Sequence, residues 1–392
     1  MPFNSIAYNI TGKIGPCTQC DLTSFKNLKD YWVCDDLKKL RSDMKNGIRN
    51  PACNECYRRE DTGAWNMRQY LIKEYPDFDF DNETPAVEQV WLRMSNLCNY
   101  LCIDCIGATS SSIWKEDIDR GLKPKTTILI HPGGNPETVV EQVKEIAPTL
   151  KNVNFSGGEP LLHWQHWDML NHMIDIGVNP KIGYFTNLSM IKFKGQKLTD
   201  ALNHFSDVEM TVGFDAMGDG CDYFRKNMSW HDTLKNIETI QTEAPHVKFT
   251  LAVTYTWMNA VNASKMIVWF RKNHPELMIT LNLVIHEYLD MRVAPNFKKI
   301  QIEQALKDAI SSNTLSQINV EMANSFINYL WGDDHSERFG KALQWIKSMD
   351  EWRGKDFRDA FPEHKDIRYE EYQVETPIIS PLPYPPEYRG RI

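Results

Sequence analysis

The sequence predicts an α/β fold: a partial (β/α)6 barrel, with a cysteine-rich auxiliary domain ahead of it and a helical extension behind it. Three observations lead there. Between residues 89 and 295 short β-branched and aromatic runs alternate with segments of helical periodicity. Eight of the nine cysteines fall in two clusters, five before residue 57 and three between 98 and 105. Beyond residue 295 the chain reads as helix up to a proline-rich end. Such alternation implies a parallel sheet with right-handed crossovers, and six units suit an open partial barrel better than a closed eight-fold one.

The expected strands are QVWLRM (89–94), VNFS (153–156), KIGYFT (181–186), VEMTVGF (208–214), KFTLAVT (248–254) and MITLNLV (278–284). The first intervening helix carries Val139, Val140, Val143, Ile146, Ala147 and Leu150 on one face. The second carries Met169, Leu170, Met173 and Ile174 and stops at Gly177. Ser229 and Asp232 form an S-x-x-D capping box before Leu234, Ile237 and Ile240. Met266, Trp269 and Phe270 give the next helix its buried stripe.

Composition narrows the function classes. The 392 residues are 42% hydrophobic, enough for a sizeable core, and the net charge of -8 argues against electrostatic capture of nucleic acid or an anionic membrane. The opening stretch MPFNSIAYNITGKIGPC lacks a basic region followed by an apolar one, and no long apolar run occurs, so a cytoplasmic location is expected. In a reducing compartment clustered cysteines point to metal rather than to disulfides.

Active sites of parallel α/β sheets sit at the carboxyl ends of the strands, and the motifs land there. SNLCNYLCIDC follows the first strand, GGEP (157–160) the second, TNLS (186–189) the third and DAMGDG (215–220) the fourth. Cys98, Cys102 and Cys105 stand in a CxxxCxxC spacing. An iron–sulfur cubane held by three thiolates leaves its fourth iron open to a small-molecule ligand. CNYLCIDC with GGEP downstream resembles the radical S-adenosylmethionine (SAM) superfamily, in which the SAM amino and carboxylate groups chelate that iron. The resemblance implies a SAM-binding [4Fe–4S] cluster on the three cysteines and SAM contacts from Gly157, Gly158, Glu159 and Pro160. It makes Thr186, Asn187, Ser189, Asp215 and Arg225 candidates for the ribose and carboxylate contacts. One departure is Asp104, where the superfamily usually has an aromatic or bulky apolar residue near the adenine; either Asp104 accepts from the adenine amine or it turns outward and leaves Ile103 to pack.

CTQC (17–20) and CNEC (53–56) are two CxxC pairs, so Cys17, Cys20, Cys53 and Cys56 can close one four-thiol site, with Cys34 in reserve. The segment between them reads as a helix with Leu37, Leu40 and Met44 inward. The block resembles the twitch or SPASM-type auxiliary modules of radical SAM enzymes, placed here ahead of the core. It also resembles a bacterial and phage group with this arrangement, whose C-terminal segment SMDEWRGKDFRDAFPE (348–363) resembles. A second [4Fe–4S] cluster is expected there, with structural zinc as the alternative. His163, His166 and His172 read as residues of an amphipathic surface, and Cys221 as a small hydrophobe.

The expected organisation is an auxiliary domain over 1–76, an acidic linker over 77–88, the barrel over 89–295, a helical extension over 296–372 and a proline-rich tail over 373–392. The resemblance implies reductive cleavage of SAM to a 5′-deoxyadenosyl radical that abstracts hydrogen, with electrons from a flavodoxin- or ferredoxin-type reductant. A peptide or protein is the expected substrate. A small-molecule substrate is one alternative, and a non-catalytic iron–sulfur or zinc protein is another.

Overall fold

The computed structural model describes residues 2–10, 13–20, 22–24, 26–61, 66–74, 79–80, 86–126, 129 and 136–372. The proline-rich tail over 373–392, and residues 77–78 and 81–85 of the acidic linker, lie outside the described residues.

The strands are β1 (Ser5–Tyr8), β2 (Ile14–Gly15), β3 (Gln89–Arg93), β4 (Leu101–Cys102), β5 (Asn152–Ser156), β6 (Lys181–Thr186), β7 (Lys192–Phe193), β8 (Gln196–Lys197), β9 (Val208–Gly213), β10 (Arg225–Lys226), β11 (Lys248–Tyr255) and β12 (Met278–Leu283). Helices α1 (Leu28–Trp32), α2 (Asp35–Lys45), α3 (Asn54–Asp61) and α4 (Met67–Glu74) precede the barrel. Within it lie α5 (Ser111–Asp119), α6 (Pro136–Ile146), α7 (Trp164–Asp175), α8 (Leu198–Leu202), α9 (Asp219–Phe224), α10 (Trp230–Glu243) and α11 (Ala260–Asn273). The extension comprises α12 (Asn296–Ser311), α13 (Gln317–Leu330), α14 (Phe339–Arg353) and α15 (Phe357–Ala360). Among the described residues, no helix is long and apolar enough to cross a membrane.

All six expected strands form and run parallel in the order β12-β11-β9-β6-β5-β3. The sheet continues through β1, parallel to β3, and ends on antiparallel β2, so its two edges stay apart and it does not close. The cysteine-rich block thus places its first strand in the main sheet. SIAY is too short to carry a periodic signal, and its register with β3 (Ala7 opposite Trp91) joins strands separated in the chain by β2 and α1 to α4.

Side-chain alternation sorts the two faces of the sheet. Val208, Met210 and Val212 of β9 are buried, whereas Glu209, Thr211 and Gly213 are half-buried. Trp91 and Arg93 of β3 and Phe185 of β6 are likewise incompletely covered, and the Trp91 and Phe185 rings stand 6.0 Å apart. Gly183 lies beneath Asn154, where a Cβ would meet Asn154 Oδ1 at 2.2 Å unless that amide turned.

The helix signals hold. Ser229 caps α10 by accepting from the Asp232 amide at 3.2 Å. Gly177 ends α7 at φ +71°, and Val139, Val140, Val143 and Ala147 are buried as expected. The helix expected between the CxxC pairs breaks in two at Val33–Cys34, where Cys34 becomes the N-cap of α2. Leu37 and Leu40 point inward, and Met44 is half-buried. The reading of the three histidines as surface residues is corrected for two of them. His163 and His166 are buried, and His166 Nε2 pairs with Tyr184 Oη at 2.8 Å, since Phe155, Trp167 and Tyr184 wrap the ring.

Candidate active site

Parallel pairing sets the motif-bearing strand ends along one edge, where the GGEP turn and the cysteine loop lock together through backbone. Gly158 N donates to Ser95 O (2.9 Å) and Glu159 N to Leu97 O (2.7 Å). A Cβ on Gly158 would lie 2.1 Å from Leu97 O, and Gly157 sits at φ +117° with its Cβ position 2.9 Å from Ser95 O. Both glycines therefore answer to the loop they pack against. Pro160 begins a short helical turn capped by Glu159.

Behind the loop, the Ser110–Ser112 run holds Cys98. Ser111 Oγ accepts from Cys98 N (3.1 Å), Ser112 Oγ donates to Cys98 O (2.7 Å), and Ser110 caps α5. Cys102 lies in β4, directly opposite Arg225 of β10. The Arg225 guanidinium donates from Nε to Asp215 Oδ2 (2.6 Å) and from Nη1 to Cys102 Sγ (3.8 Å). Asp215 in turn accepts from Thr254 N (2.8 Å). Asn187 Nδ2 reaches Cys98 Sγ (3.9 Å) and Asn99 Oδ1 (3.0 Å), and Asn99 Nδ2 donates to Ser189 Oγ (3.0 Å). Cys105 Sγ stands 3.4 Å from Thr109 Oγ1.

Cys98, Cys102, Cys105, Gly157 to Pro160, Thr186, Asn187, Ser189, Asp215 and Arg225 are thus gathered on one rim by named bonds. Within that set Glu159 is engaged inward. It is fully buried and accepts from Thr186 Oγ1 (2.6 Å), Asn187 N (2.5 Å) and Leu161 N (3.1 Å), tying the second strand end to the third. Burial raises its pKa to about 7 against those three bonds. At the departure from the family pattern, Ile103 is packed in the core, while Asp104 sits in the field of Asp215 and Arg225 with its pKa raised to about 6, chiefly by burial.

Burial also raises all three thiols, Cys105 to about 12 and Cys102 well above the ordinary thiol range, and neighbouring cysteines add to the rise at Cys102 and Cys105. A bound metal reverses that balance by stabilising thiolate. Among the described residues, no three His, Cys, Asp or Glu side chains are placed to hold a metal ion as they stand, so ligation requires the thiols to turn toward a shared centre. Three neighbouring thiols on an open rim, two of them facing N–H donors, fit an iron–sulfur cluster, whose sulfurs are tuned by such donors.

The second cysteine group is deeper. Cys17, Cys20, Cys53 and Cys56 are all buried; Cys20 and Cys53 share a hydrogen bond, and Cys17 lies in the field of both Cys53 and Cys56. Cys34 is half-buried, Tyr31 lies in the field of Cys17, Cys20 and Cys34, and Cys221 is buried in α9.

Sequence reasoning missed the docking of the C-terminal extension on the cysteine loop. Arg353 of α14 pairs with Glu116 of α5 (2.7 Å), both nearly fully buried, and donates from Nη1 to Leu101 O (3.2 Å). Tyr223 Oη donates to Asp350 Oδ1 (2.7 Å). The signal available was the polar run EWRGKD following a helical stripe, which nothing local assigns to a partner.

Residues 92–256 match the family model described as Radical SAM superfamily. No curated protein matches the chain. Among solved structures, the chain is similar to "Native anSMEcpe with bound AdoMet" at 14% identity and a TM-score of 0.41, covering 56% of this chain and 59% of that one. It is similar to "Structure of TYW1 with a lysine-pyruvate adduct bound" at 13% and 0.32, covering 57% and 71%. It is also similar to Streptococcus suis SuiB bound to precursor peptide SuiA at 11% and 0.35, covering 71% and 60%. The chain spans less than two thirds of the first of these, and the domain assignment rests on the 92–256 match.

Proposed function

We propose that this protein cleaves SAM reductively at a [4Fe–4S] cluster held by Cys98, Cys102 and Cys105 and uses the resulting radical to take hydrogen from a peptide or protein. The observation that carries the reading is the bonded unit of cysteine loop and GGEP turn, with Asn187 and Arg225 donating toward two of the three sulfurs. Cys98, Cys102 and Cys105 would hold the cluster, which would supply the electron, received from a flavodoxin- or ferredoxin-type reductant, for reductive cleavage of SAM to methionine and a 5′-deoxyadenosyl radical. This chain's residues do the rest. Ser111 and Ser112 fix the backbone of Cys98, the two glycines let the turn approach the loop, and Asp215 orients Arg225. The sheet face bearing half-buried Trp91 and exposed Phe185 is the wall for a substrate, and the peptide class is supported by the resemblance of the cysteine-rich sequence to auxiliary modules of peptide-modifying enzymes.

Cys17, Cys20, Cys53 and Cys56 are proposed to hold a second [4Fe–4S] cluster, zinc being the competing occupant. The test of the main reading is electron paramagnetic resonance of the anaerobically reconstituted, reduced protein. Adding SAM should change the cluster signal, since SAM would bind at the cluster itself, and an unchanged signal would contradict it.

A further inference from the structure

Arg93 ends β3 one strand-step from the cysteine loop, and its guanidinium has no hydrogen-bond or ion-pair partner among the described residues. Two other shielded arginines are paired, Arg225 with Asp215 and Arg353 of the extension with Glu116. Arg93 instead borders a cavity of about 80 Å³ between the end of β3, the β1–β2 hairpin and the Cys17–Cys20 loop. Lys13 lines the same cavity, together with Asn9, Thr18, Gln19 and Thr23, and among the described residues no carboxylate does. Burial without a counter-charge lowers the Arg93 pKa, the opposite of the rise that Asp215 contributes at Arg225.

A desolvated guanidinium left without a carboxylate favours an anion from outside, and its planar fork suits two oxygens at once. The volume admits one such group and not a whole substrate. The cavity borders the four-thiol site through Cys17 and Cys20, while neither Cys53 nor Cys56 lines it. Its position relates it to the rim: the Cα of Arg93 lies 3.4 Å from where a Gly157 Cβ would be, at the head of the GGEP turn.

We propose that this cavity binds an oxyanion group, carboxylate or phosphate, through Arg93 with Lys13 assisting, and so anchors the anionic end of a substrate beside the rim. Anion binding here does not depend on radical chemistry; the anchoring role rests on the proposed function.

The test is isothermal titration of the reconstituted protein with inorganic phosphate and, separately, with acetate, at fixed ionic strength. Saturable binding of at least one is expected, and the arm that binds distinguishes a phosphate-bearing ligand from a carboxylate. Arg93→Met should weaken it about tenfold or more, the loss of a charge-assisted hydrogen bond, while Arg93→Lys and Lys13→Met retain part of it. SAM affinity and metal content should stay unchanged in all three variants. No saturable binding of either anion would overturn the proposal, as would equal binding by wild type and Arg93→Met. Weakened SAM binding or loss of metal in Arg93→Met would also overturn it, by assigning Arg93 to the cosubstrate or to the thiol site. Because SAM cleavage is measured separately, a failure of anion binding is distinguishable from a failure of the radical reading.

Discussion

Arg225 lies directly opposite Cys102 in the β4–β10 pair, and one guanidinium serves both Cys102 Sγ (3.8 Å) and Asp215 Oδ2 (2.6 Å). The Asp215 side chain is fully buried, and Arg225 is its ion-pair partner. Arg225→Met should destabilise the fold by about 3–5 kcal/mol in urea unfolding, because a buried carboxylate is left uncompensated. In the reconstituted variant the cluster potential should fall, since removing a cation and an N–H···S donor disfavours the more negative, reduced state. Arg225→Lys should keep more of the stability than of the potential, as one ammonium does not reach both partners.

The Arg353–Glu116 pair gives a second, independent prediction. Arg353→Met should cost about 3–5 kcal/mol by stranding Glu116, and adding Glu116→Met should restore much of it. If the pair also holds the cysteine loop through Leu101 O, iron retention should drop in Arg353→Met and stay low in the double variant.

Two glycines separate backbone crowding from side-chain crowding. Gly158→Ala drives a Cβ into the carbonyl of Leu97, whereas Gly183→Ala meets only the Asn154 amide, which can rotate. The first should therefore cost more than about 3 kcal/mol and release the cysteine loop, and the second about 1 kcal/mol. Comparable losses of stability and iron in the two variants would show that the turn does not set the loop.

Stability should depend on pH through the buried histidines. Burial lowers His166 to about 3 and His364 to about 4 from the ordinary 6.5. Between those values and 6.5 the unfolded chain binds protons that the folded chain does not, so their contribution is lost as the pH falls through that window. Asp350, raised to about 6 by burial, acts in the opposite direction, so a single-site comparison isolates the effect. His364 Nε2 pairs with Met258 O (2.7 Å), a bond that His364→Gln can keep. Relative to that variant, wild type should lose about 1.6 kcal/mol between pH 6.5 and 5.

Much of this was legible in the sequence. The six barrel strands showed through because β-branched runs alternate with capped helices, and the rim motifs because each follows a strand end. Contacts made by short or distant pieces did not show. β4 and β10 are two residues each, so the facing of Cys102 and Arg225 had no periodic signature. β1 pairs with β3 across some eighty intervening residues, and Arg353 reaches Glu116 across 237. His163 and His166 alternate with tryptophans, a pattern that suits a surface face as well as a buried one until Phe155 and Tyr184 are seen against the ring. Arg93 stood inside an apolar strand motif, where only the missing partner marks it out.

The cysteine-rich block has a stoichiometric test. With a cluster at each site the protein should carry about eight iron atoms, falling to about four when Cys53 and Cys56 are both replaced by Ala, with SAM binding retained. About four iron atoms and one zinc in wild type would make the block a structural staple.

The central claim is that Cys98, Cys102 and Cys105 hold the cluster at which SAM is cleaved, and one measurement addresses it most directly. Anaerobically reconstituted, reduced wild type should convert SAM to 5′-deoxyadenosine and methionine, and Cys102→Ala should abolish the conversion because two thiolates do not hold the open cubane. Equal 5′-deoxyadenosine formation by wild type and Cys102→Ala would contradict the account.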